Sequence, residues 1–160
     1  HETFAGIVSA GDAGGLDLKT LDFTGRRILL AEDNAINTEV AVMLLQDRGF
    51  SVDTAQNGEQ ALQTYQASAL NYYDAILMDI RMPVMDGLTA AARIRTSPRA
   101  DAGQIPIIAM TANAFDDDIA KSMAAGMNAH LAKPIDPDLL IRTLNEFIGN
   151  KEVFGCQTLK

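Results

Sequence analysis

The sequence predicts an α/β fold, a doubly wound five-stranded parallel sheet with the strand order 2-1-3-4-5. Short strand-like runs alternate with segments of helical spacing over residues 26–149, and this alternation is typical of βαβ units. The first, third and fourth runs are apolar throughout, which indicates a parallel sheet covered by helices on both faces. The second run is more polar, so we place it at an edge. The crossovers should be right-handed.

The predicted elements follow from apolar periodicity and from helix-end residues. The strands are predicted at 27–31, 51–55, 73–79, 105–111 and 129–133. The helices are predicted at 35–48, 58–69, 88–95, 115–125 and 137–148. Gly49 and Gly126 end the first and fourth helices, and Asp136 with Pro137 gives an N-cap and a first-turn proline to the last.

Length and composition favour one domain with tails. Residues 1–25 are glycine-rich and lack periodicity, so we interpret them as a flexible linker, 26–149 as the domain and 150–160 as a C-terminal tail. The net charge of -8 and the pI of about 4.6 argue against nucleic-acid binding by this domain. We also expect no membrane contact by the domain, because no apolar run approaches the roughly 18 residues of a span. The lone cysteine, Cys156, favours a reducing compartment and hence a cytoplasmic domain; a membrane anchor elsewhere in a parent protein stays open.

Polar residues stand at the carboxyl ends of four predicted strands. Glu32 and Asp33 follow the first strand, Asp79 and Thr111 end the third and fourth, and Lys133 ends the fifth. In doubly wound sheets, ligands bind at this edge, near the switch point between strands one and three. Any one of these residues has an ordinary structural interpretation, such as a helix cap. All five at one sheet edge indicate a functional site.

This combination of side chains predicts phosphoryl chemistry. Two carboxylates about 4 Å apart repel by roughly 4 kcal/mol at an effective dielectric near 20, and a hard divalent ion such as Mg²⁺ relieves that repulsion. We expect Mn²⁺ to be able to substitute for it. Asp79 is the predicted nucleophile and would form an acyl phosphate. Thr111 would hydrogen-bond one phosphoryl oxygen and Lys133 would pair with another.

These motifs resemble those of response-regulator receiver domains. "LLAEDN" is similar to the acidic pair of that family, "LMDIRMPVMDG" to its phosphoacceptor segment, "IIAMTAN" to its threonine turn and "LAKPI" to its lysine–proline turn. The resemblance covers residues 26–149 and implies the flavodoxin-like receiver fold. It also implies self-catalysed phosphotransfer and dephosphorylation at the aspartate.

The resemblance implies roles for particular residues. Asp79 would be phosphorylated, and Asp33 and Asp79 would bind the metal, together with the backbone carbonyl of Arg81 and, through water, Glu32. The peptide bond between Lys133 and the following proline would be cis.

The resemblance further implies a conformational switch. Thr111 would move toward the phosphoryl group, and His130 occupies the position where receivers usually carry an aromatic switch residue. Histidine departs from that pattern, so His130 either turns inward in the active state or is only a partly exposed strand residue. The surface of the fourth helix, fifth strand and fifth helix would respond, and it could also form a homodimer.

The variant "EDNAIN", with Asn34 and Asn37, is similar to receivers of hybrid sensor histidine kinases. The expected partner is therefore a histidine kinase or a histidine phosphotransfer domain, and the parent chain would itself be a histidine kinase. Two alternatives stay open here, a stand-alone response regulator and a receiver that binds partners without phosphorylation.

The sequence lacks features that two other protein classes require. Phosphatases with an aspartyl nucleophile carry a second acidic residue two positions after that nucleophile. This chain has Arg81 at that position, which argues against a phosphatase. A flavin-binding protein of the same topology needs phosphate donors in its first loop, and Glu32 and Asp33 would repel a phosphate.

The first helix has an apolar arc wider than one buried face requires. We assign Ala41, Leu44 and Leu45 to the sheet. The other side of the arc would be at least partly exposed and would dock the phosphohistidine-bearing partner; it comprises Ile36, Val40 and Met43. The alternative is that Val40 and Met43 only cover the edge of the core.

Overall fold

The five-stranded parallel sheet with order β2-β1-β3-β4-β5 is confirmed. The computed structural model describes residues 21–112 and 116–149. Its strands are β1 (Arg27–Ala31), β2 (Ser51–Ala55), β3 (Ala75–Asp79), β4 (Ile107–Thr111) and β5 (Ala129–Ala132). Its helices are α1 (Ala35–Gln46), α2 (Gly58–Ala67), α3 (Gly87–Arg95), α4 (Asp116–Ala124) and α5 (Pro137–Leu144), which continues as a π-helical turn (Asn145–Gly149).

The first two strands have the predicted bounds, and the other element ends differ from the predicted ones by at most four residues. The third strand begins at Ala75 rather than at residue 73, because the Asp74 carboxylate accepts the Arg27 N–H at 2.8 Å in place of a ladder bond. The first helix ends at Gln46, because the next backbone bonds span only three residues and Gly49 adopts a φ of +97°. Apolar periodicity cannot resolve such local bonds.

The sheet separates two hydrophobic clusters, as consecutive strand residues point to opposite faces. One face is covered by α2 and α3, with buried Tyr65 and Ile94 against Leu29, Ile76 and Met78. The other is covered by α1 and α5, where the buried residues include Leu45, Leu140, Leu144, Ile28, Leu30 and Leu77. Burial on both faces leaves the strand ends as the places where polar side chains gather.

The packed unit begins before residue 26, where we predicted the domain to start. Phe23 is buried, stacks on Phe50 with ring centroids 4.5 Å apart and donates its N–H to the Arg48 carbonyl. The sequence did not predict this contact, because residues 1–25 are glycine-rich and lack periodicity. Residues 1–20 of the predicted linker (1–25), the predicted tail over 150–160 and the predicted start of the fourth helix at 115 lie outside the described residues.

Among the described residues, no helix combines the length and the apolar character that crossing a bilayer requires.

Candidate functional site at the carboxyl edge of the sheet

The carboxyl edge of the sheet brings two predicted carboxylates onto one ammonium group. Lys133, just after β5, places its Nζ 2.8 Å from Glu32 Oε1 and 2.9 Å from Asp79 Oδ2. Glu32 and Asp79 are both buried. Because the sheet order sets β1 and β3 side by side, residues far apart in sequence meet at this edge.

Asp33 completes a group of three carboxylates. Each of Glu32, Asp33 and Asp79 offers an oxygen within 4.8 Å of the others, and Asp33 is exposed to solvent. A cavity of about 250 Å³ opens over them; its lining comprises Glu32, Asp33, Asn34, Asn37, Asp79, Arg81, Ala112 and Lys133. Three carboxylates line this cavity together with Lys133 and Arg81, and carboxylate oxygens are the ligands that Mg²⁺ takes. The donor set therefore fits a hard divalent cation.

The two buried carboxylates differ in acidity. Burial raises the pKa of Asp79 to about 6, and the negative charge of Glu32 adds to this, while Lys133 opposes it. Burial also acts on Glu32, but the hydrogen bonds from Lys133 and from the Asn34 N–H outweigh it, so the pKa of Glu32 is lowered. Of these two carboxylates, Asp79 is therefore the one whose negative charge the shared Lys133 compensates less.

Local caps hold the loops around the cavity. Asn34 caps α1 by accepting the Asn37 N–H at 2.9 Å, which fixes the turn that follows Asp33. On the other side, the Arg81 N–H lies 3.3 Å from Asp79 Oδ1. Asp86 caps α3 by accepting the Thr89 N–H at 2.8 Å. These bonds give the carboxylates a defined frame.

A family model described as the response regulator receiver domain matches residues 28–145. The chain belongs to this family. The receiver is 39% identical over 135 residues to hybrid signal transduction histidine kinase I of Dictyostelium discoideum, covering 83% of this chain and 8% of that protein. It is 41% identical over 126 residues to two-component system protein A of Emericella nidulans, covering 78% of this chain and 18% of that protein. The receiver thus spans a small part of the length of these curated relatives.

A solved structure is similar in fold and sequence. The receiver domain of a sensor histidine kinase from Pseudomonas aeruginosa, with a magnesium ion in its active-site cleft, matches with a TM-score of 0.71 and 41% identity. The match covers 79% of this chain and 99% of that one. The aspartyl phosphatase and the flavoprotein weighed from sequence are therefore wrong for this receiver.

The receiver places Thr111 and Lys133 next to each other. Thr111 is buried at the end of β4, and its carbonyl accepts the Lys133 N–H at 2.8 Å. The Lys133–Pro134 bond is cis, as the resemblance implied. His130 is half-buried on β5 beside Ala109, and burial lowers its pKa. Its role as a switch stays a prediction.

The apolar strip of the first helix is exposed as predicted. Ile36, Val40 and Met43 are 70%, 49% and 69% exposed, whereas Ala41 and Leu45 are buried. The docking role stays a prediction, and so does the alternative that Val40 and Met43 cover the edge of the core.

Sequence reasoning missed an apolar cavity beside this strip. It has a volume of about 380 Å³; its lining comprises Glu32, Asn37, Val40, Ala41, Met110, Lys133, Pro134 and Ile135. It lies between α1 and the segment after β5, so only the strand order brings its walls together. Glu32, Asn37 and Lys133 line both cavities, which places this apolar space directly beside the carboxylates.

Proposed function

We propose that this receiver accepts a phosphoryl group on Asp79 from a phosphohistidine, in the presence of Mg²⁺, and changes conformation as a result. The observation that carries this proposal is the undercompensated Asp79 carboxylate, buried at the switch point of the sheet and hydrogen-bonded to Lys133 at 2.9 Å. A nucleophile held this way needs no side-chain movement to face the cavity above it. The magnesium ion in the related Pseudomonas receiver supports the same assignment.

The metal would be held by the carboxylates of Asp33 and Asp79 and by the carbonyl of Arg81, with Glu32 acting through water. A bound divalent cation supplies neutralisation of the carboxylates and of the phosphoryl oxygens. We expect Mn²⁺ to replace Mg²⁺, because it also accepts oxygen ligands in octahedral geometry.

Three side chains of the receiver would take part in the transfer step: Asp79, Lys133 and Thr111. An Asp79 carboxylate oxygen attacks phosphorus and forms the P–O bond, while the P–N bond of the phosphohistidine breaks and its electron pair returns to the imidazole nitrogen, which takes up a proton. The ammonium of Lys133 pairs with a phosphoryl oxygen, and the Thr111 hydroxyl donates a hydrogen bond to another. The chain therefore contributes positioning and charge.

The donor would be a histidine kinase or a histidine phosphotransfer domain, and the parent chain a hybrid histidine kinase. The similarity to the Dictyostelium hybrid kinase supports this context. A helix bearing the phosphohistidine would pack on Ile36, Val40 and Met43, since an exposed apolar strip next to a reactive carboxylate suits helix-on-helix burial.

Intact-mass spectrometry tests the transfer. The receiver is incubated with acetyl phosphate, or with a phosphorylated histidine phosphotransfer domain, with Mg²⁺ or with EDTA. We expect one phosphoryl adduct in Mg²⁺, none in EDTA and none in Asp79→Asn. An adduct that persists in Asp79→Asn would contradict the proposal.

Introducing negative charges into the apolar strip tests docking separately. Ile36→Glu with Met43→Glu should slow transfer from the phosphotransfer domain at least about tenfold, as charged groups must then be buried in the complex, and leave labelling by acetyl phosphate within twofold. Leu70→Glu, at a 56% exposed leucine after α2, is the matched control and should leave both routes unchanged. An equal loss of both routes in the double variant would show that the strip serves the fold.

Phosphorylation should also change the surface formed by α4, β5 and α5. Backbone NMR shifts with and without beryllofluoride, a phosphoryl mimic, test this. We expect shifts at Thr111, at His130 and along α4. Shifts restricted to residues around Asp79 would contradict a switch.

A further inference from the structure

The loop over residues 80–86 carries Arg81, whose N–H lies 3.3 Å from Asp79 Oδ1, and hydrogen bonds close this loop at its base. The Gly87 N–H donates to the Ile80 carbonyl at 2.8 Å, and the Ile80 N–H donates to the Met110 carbonyl of β4 at 3.0 Å. A Cβ on Gly87 would overlap the Asp79 carbonyl oxygen. Both ends of the loop are therefore tied to the sheet, and only its far side needs another support.

That support comes from the first residue of α2. The Gly58 N–H donates to the Met85 carbonyl at 2.8 Å. A Cβ on Gly58 would overlap the Met85 carbonyl oxygen and lie 2.8 Å from the Asp86 carbonyl oxygen, closer than the 3.0 Å that real Cβ contacts respect. The φ of Gly58 lies outside the left-handed region, so the position requires glycine for space.

The segment between this contact and Arg81 is stiff. Val84 adopts a φ of +69°, a genuine outlier for a β-branched residue, although its side chain is 76% exposed. Pro83 has a φ fixed by its ring, and its carbonyl accepts the Met85 N–H at 2.7 Å. Strain of this kind persists only where the surroundings over-determine the backbone. Pro83 and Val84 therefore leave the backbone few alternative conformations in which to absorb a displacement of Met85.

We propose that Gly58 is a positioning residue for the phosphoacceptor edge: by admitting the Met85 carbonyl into the space of a missing side chain, it holds the strained loop so that the Arg81 carbonyl faces the carboxylates. This inference rests on the proposed magnesium site. Replacing a direct hydrogen-bond partner of a metal ligand typically changes metal affinity 10–100-fold, and Gly58, which supports the loop that carries a ligand, should act at the lower end of that range.

The test is Gly58→Ala, followed by calorimetric Mg²⁺ titration and by backbone NMR of the metal-free protein. We expect the Kd for Mg²⁺ to rise about tenfold or more and the amide shifts of Arg81 and Met82 to change without metal. Two variants serve as controls. Gly103→Ala adds a Cβ with nothing within 4 Å and should leave stability and Kd unchanged. Gly49→Ala clashes with Thr24 at the amino edge of the sheet and should lower stability while leaving Kd within twofold.

A wild-type measurement covers the case in which Gly58→Ala does not fold. Because coupling between two sites is reciprocal, saturating Mg²⁺ should raise the exchange protection of the Gly58 amide about tenfold. An unchanged Kd in folded Gly58→Ala, or unchanged protection of this amide in Mg²⁺-bound wild type, would overturn the positioning role. A wild-type protein that binds no Mg²⁺ would instead overturn the proposed function.

Discussion

Two buried aspartates at opposite ends of the sheet have different hydrogen-bond partners, and their pKa values are shifted in opposite directions. Asp101, in the loop before β4, accepts hydrogen bonds from Arg99 Nε at 2.9 Å, from the Tyr65 hydroxyl at 2.8 Å and from the Asn71 N–H at 2.9 Å. Chiefly through the bond from Arg99, the pKa of Asp101 lies well below its usual range. Asp79 shares one lysine with a second carboxylate, and burial raises its pKa to about 6.

The difference separates a structural carboxylate from a reactive one. Arg99 stacks over Tyr65 with its guanidinium carbon 4.3 Å from the ring centroid, and it donates to the carbonyls of Tyr65, Gln66, Ser68 and Ala69 at the end of α2. Asp101 completes this network, so its charge is satisfied within the fold. Asp79 instead shares Lys133 with Glu32, so its charge is less fully compensated within the fold and a bound cation would stabilise its ionised form.

The largest expected effect on stability is at the end of the sheet that contains Asp101. Arg99→Ala removes the counter-charge of buried Asp101 and the donors for the α2 carbonyls, and breaking a buried pair costs about 3–5 kcal/mol. We expect the free energy of unfolding in urea to fall by about 3 kcal/mol. Arg93→Ala, at an exposed arginine of α3, should change it by less than about 0.5 kcal/mol. A loss below about 1 kcal/mol for Arg99→Ala would remove the contrast between the two ends.

Asp79→Asn should shift stability the other way. The substitution removes one of three crowded negative charges while keeping side-chain volume, so metal-free protein should gain about 1 kcal/mol in the free energy of unfolding at pH 7. Asp101→Asn is the matched comparison and should lose stability, because its partners Arg99 and Tyr65 stay in place. Losses of the same size in both variants would mean that the two carboxylates are equally satisfied.

The smallest expected effect is the pH dependence of the stability that Asp101 contributes. Since the pKa of Asp101 is lowered in the folded state, the unfolded state binds more protons below the ordinary aspartate pKa of about 3.9. The stabilisation is therefore complete above that pH and is lost as the pH falls toward the folded value. The stability difference between wild type and Asp101→Asn, from urea unfolding at pH 7 and at pH 3, should shrink at pH 3. A constant difference would assign it to packing.

The strand order and the carboxylate site were predictable because both depend on patterns local to each strand. Asp79 and Lys133 each end a short apolar run, and a parallel sheet brings such ends together. The sequence pattern predicts only that Gly58 begins a helix, since its need for space arises from a carbonyl 27 residues further along the chain. The positive φ of Val84 and the network around Arg99 likewise depend on tertiary contacts that periodicity does not contain.

The central claim is that the carboxyl edge carries an excess of carboxylates that recruits a cation. The free energy of unfolding, measured with and without Mg²⁺, tests this claim most directly. At 100 times its Kd, Mg²⁺ should stabilise wild type by about 2.7 kcal/mol. Asp33→Ala should lose most of this response, and Asp101→Asn should keep all of it. Wild-type stability that does not respond to Mg²⁺, or a response that disappears in Asp101→Asn and survives in Asp33→Ala, would contradict the account.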